Sequence, residues 1–354
     1  MLTELLLRRL FSMGLPTAIL NPEQIEGLKR YRSKVATGQY HFEEVPCICN
    51  KHDGILVARF DRYSLPVDTR LCRSCGVMWS SSRMTNETLV RFYKEDYSQI
   101  YNGNMTAQEY FFADQIKHGR QILNYVRSSI GTRVPATVFD VGCGAGGTLV
   151  PFRDADCKVF GCDFGDDYLR RGEASGLHLV EGDVRALAPY APADLIILSH
   201  VLELCTDPKF TIESIASVLS EDGIVYIELP GIFRIHETYK DTLLYLQIAH
   251  LYHFTLASLS CLMAKAGFEL IQGDELIRAI YRRKRNHSVD IQSTNYRKIL
   301  LYLCIIEYLN LSKLAELPRR VKNLISAGAK KLLGPTLTAK VRQLASDVRV
   351  RHKR

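Results

Sequence analysis

A glycine-rich turn that directly follows an apolar, β-branched run is the feature that most constrains the fold of this chain. Residues 137–147 read TVFDVGCGAGG, with one acid, Asp140, inside the apolar run. This pattern predicts a buried parallel strand, then a tight turn, then a helix. Glycine lets the backbone turn sharply and approach a ligand closely, as in nucleotide-binding βα turns. The stretch therefore predicts an α/β domain with a nucleotide-like ligand at the turn.

Acidic residues on both sides of the turn narrow the kind of ligand. Asp140 lies two residues before Gly142, and Asp163 lies 21 residues after it, at the end of a second short apolar run. Taken singly, each of these residues fits more than one role. Gly142 and Gly144 fit any dinucleotide site, Asp163 fits a helix cap, and Asp183 fits a turn after a strand. The ordered combination of motifs decides between these roles.

The order of motifs resembles that of the class I S-adenosylmethionine (SAM) methyltransferases over roughly residues 133–286. The matching segments are DVGCGAG (140–146), KVFGCDF (158–164), VEGDV (180–184), DLIILSHVLE (194–203), GIVYIELPG (223–231), HFTLASL (253–259) and AGF (266–268). The resemblance implies a Rossmann-like parallel sheet with helices on both faces. It also implies a methyltransferase that uses SAM as its methyl donor.

The same resemblance assigns residues to the cofactor. It implies that Asp163 hydrogen-bonds the ribose hydroxyls and that Asp183 lies near the exocyclic amine of adenine. Val184 then lies on the adenine face, and the loop at His200 lines the site. The complete cofactor-binding set is Asp140, Gly142, Cys143, Gly144, Asp163, Phe164, Asp183, Val184 and His200.

Four clustered cysteines predict a metal site ahead of this domain. They form two close pairs, with 22 residues between the second cysteine and the third: Cys47, Cys49, Cys72 and Cys75. Two pairs joined by a strand-forming loop are what a tetrahedral Cys₄ zinc site requires, and a closed site of this kind is structural. Two alternatives stay open. One is a set of unligated thiols, and the other is a three-cysteine site completed by His41 or His52.

The cysteine-rich segment has a resemblance of its own, over roughly residues 45–103. The sequences DRY (61–63), LCRSCGVMW (71–79), RMT (83–85), FY (92–93) and YSQIYNG (97–103) resemble the zinc-binding front end of certain bacterial methyltransferases. Those enzymes act on sugars or small carbohydrate-like molecules, often for surface polysaccharides. Some methylate carbon and have a Tyr-His-Glu-His tract, where this chain has QIAH (247–250). The departure favours oxygen or nitrogen methylation over carbon methylation of a keto-sugar.

Histidines are the candidate general bases, because a sugar hydroxyl is a poor nucleophile until it loses its proton. His250 is the first candidate, since it corresponds to the active-site histidine of the resembling enzymes, and His253 is the second. Glu203 is a candidate helper. A packing role is an equal alternative for His250, and for His253 it is the simpler one, because Thr255 just after it fits a helix cap. Tyr97 and Tyr101 are candidates for lining the substrate pocket, or for packing.

Charge is distributed unevenly along the chain. Residues 281–354 hold 18 lysines and arginines against 4 acidic residues, of 46 and 38 in the whole chain, so the first 280 residues carry a net charge of −6. The organisation predicted is a helical segment (1–44), a zinc-binding subdomain (45–84), a helical linker or lid (85–132), the SAM domain (133–286) and a basic helical extension (287–354). The extension fits either an anionic membrane surface or a solvated helix face.

Composition bounds the location and the partners. The chain has no run of about 18 apolar residues, and its N-terminal arginines follow the apolar run, an order that does not fit a signal peptide. We therefore expect a cytoplasmic protein with reduced thiols, in peripheral contact with membrane at most. The segment 45–84 lacks the interleaved basic and aromatic residues of a nucleic-acid site, and its arginines at 59, 62, 70 and 73 are accompanied by aspartates at 53, 61 and 68, so a nucleic-acid partner is not expected. The alternative functions for the chain are a nucleic-acid methyltransferase and a SAM-binding scaffold module without turnover.

Overall fold

The computed structural model describes residues 10–11, 16–103, 109–131, 135–284 and 295–310. No helix within these ranges is long and apolar enough to cross a membrane. Most of the predicted basic extension lies outside the described residues, including its two proposed amphipathic stretches at 324–333 and 335–344.

The first helix of the described chain begins where the sequence predicts. Helix α1 spans Pro22–Ala36, and the side chains and backbones of Asn21 and Gln24 bond each other reciprocally in a capping box. Such a box satisfies backbone N–H groups that have no partner inside the helix. The helical part of the segment 1–44 is thereby confirmed over 22–36.

Short strands fill the segment that contains the cysteine cluster. They are β1 (Phe42–Glu44), β2 (Gly54–Phe60), β3 (Pro66–Cys72), β4 (Met78–Ser80) and β5 (Ser82–Met84). Strands β1 and β5 form an antiparallel pair. Strands β2, β3 and β4 form an antiparallel sheet whose outer strand is β11 (Tyr252–His253), from far later in the chain. This four-stranded sheet, called the front sheet below, therefore takes its outer strand β11 from residues that the sequence assigns to the SAM domain.

Helices occupy the segment between the two sheets, as predicted. They are α2 (Asn86–Phe92), α3 (Ser98–Asn102) and α4 (Glu109–Ile130), with a π-helical turn at Tyr93–Tyr97 between the first two. In a π-helical turn the hydrogen bonds skip one more residue than in an α-helix, and such turns are frequent at functional sites. This turn places Tyr93 and Tyr97 next to each other, with ring centroids 5.1 Å apart.

The main sheet contains seven strands among the described residues, in the order β12-β13-β10-β9-β6-β7-β8. Their bounds are β6 Thr137–Val141, β7 Lys158–Asp163, β8 His178–Glu181, β9 Ala193–Ser199, β10 Leu219–Glu228, β12 Phe268–Gly273 and β13 Arg278–Arg283. The chain runs outward through β6, β7 and β8 and then returns to β9 on the other side of β6. Open α/β sheets bind ligands at the carboxyl ends of the strands where the order reverses in this way.

The sheet departs from the all-parallel expectation at one edge. Strand β13 is antiparallel to both β10 and β12. Only residues 274–277 separate β12 from β13, and a connection this short joins antiparallel strands but is too short to cross over between parallel ones. The Rossmann-like mixed sheet is confirmed, with a hairpin as its last unit.

Helices cover both faces of the sheet and complete the core. They are α5 (Val150–Arg153), α6 (Asp166–Glu173), α7 (Pro208–Val218), α8 (Ile235–Thr238), α9 (Thr242–Tyr245), α10 (Leu256–Lys265) and α11 (Tyr296–Asn310). On one face Phe139 and Ile196 share a buried cluster with Leu259 of α10. On the other face Val138 lies in a cluster with Val126 of α4. Burial on both faces explains why the central strands are almost uninterruptedly apolar.

The part of the C-terminal extension that is described packs on the front sheet. Helix α11 buries Ile299, Leu303 and Ile306 in a cluster with Leu71 of β3 and Met78 of β4. The front sheet, α11 and β11 therefore share one core. The five segment boundaries stay predictions.

Candidate functional site

The glycine turn adopts the conformation that its sequence predicts. Gly142, Gly144 and Gly146 all have positive φ, at 70°, 56° and 72°. The backbone N–H of Gly142 donates to the carbonyl of Cys162 at 2.8 Å, which draws the turn onto the neighbouring strand β7. A Cβ atom on Gly142 would lie 2.5 Å from a methyl group of Val201. Both the backbone conformation and the available space therefore favour glycine here.

Asp163 connects the turn to the end of β7. One carboxylate oxygen accepts from the N–H of Gly144 at 2.9 Å, and the other accepts from the N–H of Gly165 at 2.8 Å. Phe164 follows it with half of its side chain exposed. Cys143 is buried within the turn. An acid and an apolar ring thus lie side by side at the carboxyl edge of the sheet, beside a glycine turn that leaves room for a ligand.

Asp140 is buried at the base of the turn. Its side chain is 3% exposed. Burial and, to a lesser degree, the nearby charge of Asp163 raise the pKa of Asp140 to about 8, against an opposing effect of His118. A carboxyl in this state gains from a cation brought beside it, because a neighbouring positive charge favours the ionised form.

The two residues assigned to adenine have contacts within the protein. Asp183 caps the 3₁₀ helix Val184–Tyr190 by accepting from the N–H of Arg185 at 2.9 Å. It also pairs with the Arg185 guanidinium at 2.6 Å, and these hydrogen bonds lower the pKa of Asp183. Val184 is 2% exposed and belongs to the core. The turn role of Asp183 is observed, and its contact with adenine stays a prediction.

A cleft of about 540 Å³ opens at the carboxyl ends of β9 and β10. Its wall includes His118 from α4, Glu228 at the end of β10, His200 after β9, Arg234 and Tyr239. His118 Nε2 lies 3.0 Å from a carboxylate oxygen of Glu228. This bond raises the pKa of His118 although burial opposes it. The cleft combines a mainly apolar wall with a few charged and polar side chains, a lining typical of small-molecule sites.

His200 is held in a strained conformation on the cleft wall. Its φ is 58°, a region that non-glycine residues rarely adopt and that is found at functional sites. Its side chain is 55% exposed, and its Nδ1 lies 3.4 Å from Glu203 Oε1. Burial lowers the pKa of His200, but Glu203 and Glu228 together raise it above the usual value. The side chain of His200 thus has a large solvent-accessible area, and yet burial lowers its pKa. This combination is typical of a side chain that faces a deep cleft.

Glu203 and His250 lie deeper and have polar atoms without partners. Glu203 is 1% exposed and His250 is 7% exposed. Apart from the ion-pair contact of Glu203 with His200 at 3.4 Å, both carboxylate oxygens of Glu203 and Nδ1 of His250 are buried without a hydrogen bond within the described part of the chain. Burial, then the charges of His253, Arg62 and His200, hold the pKa of His250 well below its usual value. Buried polar atoms left unbonded in this way call for a ligand or water.

His253 has the contacts of a packed side chain. It lies in β11, opposite Met78 of the front sheet, and is 2% exposed. Its ring centroid is 4.9 Å from that of Tyr245, and burial lowers its pKa to about 3. Thr255, two residues later, caps α10 in a capping box with Ser258, as the sequence predicts. A catalytic role for His253 stays a prediction that these contacts do not favour.

A row of four tyrosines runs through the interior beside these groups. We call Tyr63, Tyr101, Tyr97 and Tyr93 the tyrosine row. Successive ring centroids lie 5.4, 4.8 and 5.1 Å apart. Burial raises the pKa of Tyr97 above its usual value, and the charges of Glu203 and Asp163 are among the groups that raise it further. Tyr97 therefore lies near both the cofactor turn and Glu203, which fits the pocket-lining role predicted for it.

The four cysteines converge as the sequence predicts. The sulfur atoms of Cys47, Cys49, Cys72 and Cys75 all lie within 4.8 Å of one another. Cys47 Sγ is 3.4 Å from Cys75 Sγ, and Cys49 Sγ is 3.6 Å from Cys72 Sγ. Tetrahedral zinc with bonds of about 2.3 Å separates its sulfur ligands by roughly 3.8 Å. All ten cysteines lie in the described part of the chain and are free thiols, so the donor set and spacing fit zinc.

Three residues that the structure brings to the site are not marked by any sequence motif: His118, Glu228 and Arg62. His118 lies on α4, some 20 residues before the glycine turn, on a helix with no motif. Glu228 lies within the GIVYIELPG strand and Arg62 within DRY, and neither motif assigns them a role. Their importance follows from what they face across the fold, and no local spacing signals that.

Comparison with known proteins adds three findings. Residues 117–273 match a family described as Methyltransferase domain. The chain is 32% identical over 123 residues to malonyl-[acyl-carrier protein] O-methyltransferase of Pseudescherichia vulneris, which covers 34% of this chain and 48% of that protein. It is 33% identical over 106 residues to trans-aconitate 2-methyltransferase of Azoarcus sp. (strain BH72), which covers 28% of this chain and 42% of that protein. The chain thus matches about half the length of each.

Solved structures with bound S-adenosylhomocysteine (SAH) are also similar. The magnesium protoporphyrin IX methyltransferase of Synechocystis PCC 6803 aligns at a TM-score of 0.41 and 15% identity, covering 56% of this chain and all of that one. The 1,6-didemethyltoxoflavin-N1-methyltransferase of Burkholderia thailandensis aligns at 0.41 and 17%, covering 56% of this chain and 91% of that one.

Proposed function

We propose that this chain, which contains a class I SAM-dependent methyltransferase domain, transfers a methyl group from SAM to an oxygen, nitrogen or carbon atom of a sugar, nucleotide-sugar or related small metabolite. The observation that carries the proposal is the glycine turn with Asp163 bonded to the N–H of Gly144, within the segment that matches the methyltransferase family. The cleft at the carboxyl ends of β9 and β10, with charged side chains on its wall, supports a small-molecule acceptor. Surface polysaccharide synthesis is a context that the front-end resemblance favours.

In the proposed arrangement SAM lies along the carboxyl edge of β6, β7 and β9. Asp163 exchanges its bond to a backbone N–H for the ribose hydroxyls, Phe164 covers the adenine, and Asp140 stabilises positive charge nearby. SAM supplies an activated methyl group on its sulfonium. The protein's contribution is to align acceptor and methyl in line and to exclude water, which can supply much of the rate.

We propose His250 as the general base and Glu203 as its helper. The depressed pKa of His250 keeps its ring uncharged at neutral pH, so its unpartnered Nδ1 is free to accept a proton from the acceptor. The buried Glu203 would stabilise the imidazolium that forms. His200 lies on the cleft wall with a raised pKa and is the competing base, since a higher pKa makes a stronger proton acceptor.

Incubation with SAM and a panel of nucleotide-sugars, followed by mass spectrometry, tests the function. We expect one member to gain the mass of one methyl group. His250→Ala should lower turnover about 10²- to 10⁴-fold, the usual contribution of a general base, without changing SAH affinity. His178→Ala, on the exposed edge strand β8, is the matched control. Full turnover in His250→Ala with loss in His200→Ala would transfer the role to His200.

We also propose a structural zinc at the four cysteines and a cytoplasmic location. The cluster lies where β3 ends and the front sheet meets α11, so a bound ion would fix the sheet that receives β11. The basic extension is proposed to contact an anionic membrane surface only peripherally, or to form a solvated face.

A further inference from the structure

Arg62 carries buried donors that have no partner. Its Nε and one terminal nitrogen are inaccessible to solvent and form no hydrogen bond with any described residue. The adjacent Asp61 forms no hydrogen bond or ion pair with it, although burial raises the pKa of Asp61 and the charge of Arg62 opposes that rise. Both Asp61 oxygens accept backbone N–H groups, from Tyr63 and Leu65 at 2.9 Å each and from Ile248 at 3.1 Å. Among the described residues, no ion pair involves Arg62.

The surroundings of Arg62 place it beside the candidate acceptor site. Its guanidinium carbon lies 5.8 Å from the ring centroid of Tyr239 and 6.0 Å from that of Tyr63. Tyr239 is part of the cleft wall, and Tyr63 begins the tyrosine row. The backbone N–H of Arg62 donates to the backbone carbonyl of Leu246 at 3.0 Å. This bond fixes the backbone of Arg62 against the segment that leads to His250.

Glu203 and His250 belong to the same region. The N–H groups of Leu251 and Tyr252, just after His250, both donate to the carbonyl of Glu203, at 2.8 and 3.2 Å. Burial raises the pKa of Tyr239, the charge of Arg62 opposes that rise and the charge of Glu203 adds to it. A guanidinium, a carboxylate and an imidazole therefore surround one interior region, and each has polar atoms without a partner.

Three side chains with buried polar atoms that form no hydrogen bond lower the stability of a ligand-free protein. A buried charge without a partner costs several kcal/mol, and an unsatisfied neutral donor or acceptor costs about 1–3 kcal/mol. Groups in this state are retained where a ligand completes them. The missing partner of a guanidinium is an oxyanion that accepts from its planar fork.

We propose that Arg62 binds an anionic group, a phosphate or a carboxylate, on the methyl acceptor. The inference rests on the proposed function and specifies its substrate class: an anionic sugar derivative. The anion lies against Arg62 between Tyr63 and Tyr239. Hydroxyl or amine donors of the same molecule face Glu203 and His250.

The test uses full-length protein saturated with SAH, and measures its unfolding midpoint as inorganic phosphate or acetate is titrated at constant ionic strength. In the wild type we expect a saturable rise with at least one of the two anions, and the more effective one identifies the oxyanion. Arg62→Gln should weaken the apparent anion affinity at least tenfold, and Arg62→Lys less. Arg59→Gln is the matched control, because Arg59 lies nearby in β2 but is half exposed and near Asp68.

The midpoint of ligand-free Arg62→Gln separates a binding role from a structural one. Removal of a charge that forms no ion pair, and whose Nε and one terminal nitrogen are buried without a hydrogen bond, should leave this midpoint unchanged or raise it. A lower midpoint, failure of the variant to fold, an equal anion response in wild type and Arg62→Gln, or no response to either anion in the wild type would each overturn the proposal. SAH stabilisation is scored separately: its absence from the wild type would refute the methyltransferase proposal and leave the anion response interpretable.

Discussion

At the residue scale, the conformation of the glycine turn was predictable from the sequence, whereas the groups that meet in the cleft were not. Gly142, Gly144 and Asp163 act through contacts to neighbours on adjacent βα units, so short spacings identify them. His118 and Glu228 meet at 3.0 Å from elements more than 100 residues apart, and nothing local marks either one. Asp183 shows that a motif alone does not define a contact. Its motif is present, but its carboxylate is bonded to Arg185.

Asp163→Ala should weaken SAM binding about 10- to 100-fold. The substitution removes charge-assisted hydrogen bonds worth about 1.5–3 kcal/mol, and each 1.4 kcal/mol is about tenfold in affinity. Titration calorimetry measures the effect. Asp166→Ala, exposed in the first turn of α6, is the control and should bind as the wild type does. Unchanged affinity in Asp163→Ala would refute the ribose assignment.

Asp140 should make the ligand-free protein less stable as pH rises. Its pKa is about 8 in the folded protein and about 4 in an unfolded chain, so the folded state binds the proton more tightly between these values. The free energy of unfolding therefore falls as pH increases from about 4 to about 8. Asp140→Asn lacks this loss and should be more stable at pH 7, by up to about 4 kcal/mol at 1.36 kcal/mol per pH unit.

Urea unfolding between pH 4 and 8 without SAM measures this difference. Asp114→Asn, exposed on α4, should follow the wild-type profile. Parallel pH profiles for the wild type and Asp140→Asn would show that Asp140 is ionised in the folded protein at neutral pH. The same substitution should remove any rise in SAM affinity with pH, since the cationic cofactor favours the ionised carboxylate.

At the scale of elements, the sequence predicted the strands of both sheets but not the partner of β11. Tyr252 and His253 pair with Trp79 and Met78 of β4, and such a pairing depends on the assembled fold, because two residues carry no periodicity. The expectation of an all-parallel sheet was wrong at β13 for a local reason that the short 274–277 connection could have revealed. The convergence of the cysteines was predictable because their pairs are close in sequence and joined by a β2–β3 hairpin.

Purified protein should contain about one zinc per chain, and Cys72→Ser should contain far less. Loss of the ion should destabilise the front sheet by several kcal/mol, since a structural zinc contributes its binding free energy to folding. Metal analysis and thermal unfolding give both values. Cys157→Ser, a buried thiol outside the cluster, should keep its metal. Less than half an equivalent in the wild type would favour unligated thiols.

At the scale of the whole molecule, the front sheet and the SAM domain are joined in one packed body. Strand β11 completes the front sheet, and the segment before it contains His250. Helix α11 packs against the front sheet in the cluster that also contains Tyr245 and Leu246. The proposed acceptor site lies between these two parts, because Arg62 in the β2–β3 connection faces Tyr239, which follows α8. This explains why the cofactor motif alone defines the methyl donor and leaves the acceptor open.

This joint construction predicts that SAH stabilises the front sheet, which it does not touch. Trp79 is the single tryptophan of the chain. It is 1% exposed in β4 and donates to the carbonyl of Val45 at 3.1 Å, so its fluorescence reports on the front sheet.

SAH at 100 times its dissociation constant adds about 2.7 kcal/mol to the free energy of unfolding. In one cooperative unit this raises the midpoint by roughly 3–4 °C. Fluorescence and far-ultraviolet circular dichroism should move together, and Asp163→Ala, with its affinity lowered 10- to 100-fold, should reduce both shifts to about half or less. A fluorescence midpoint that stays fixed while the dichroism midpoint rises would mean that the two sheets unfold independently.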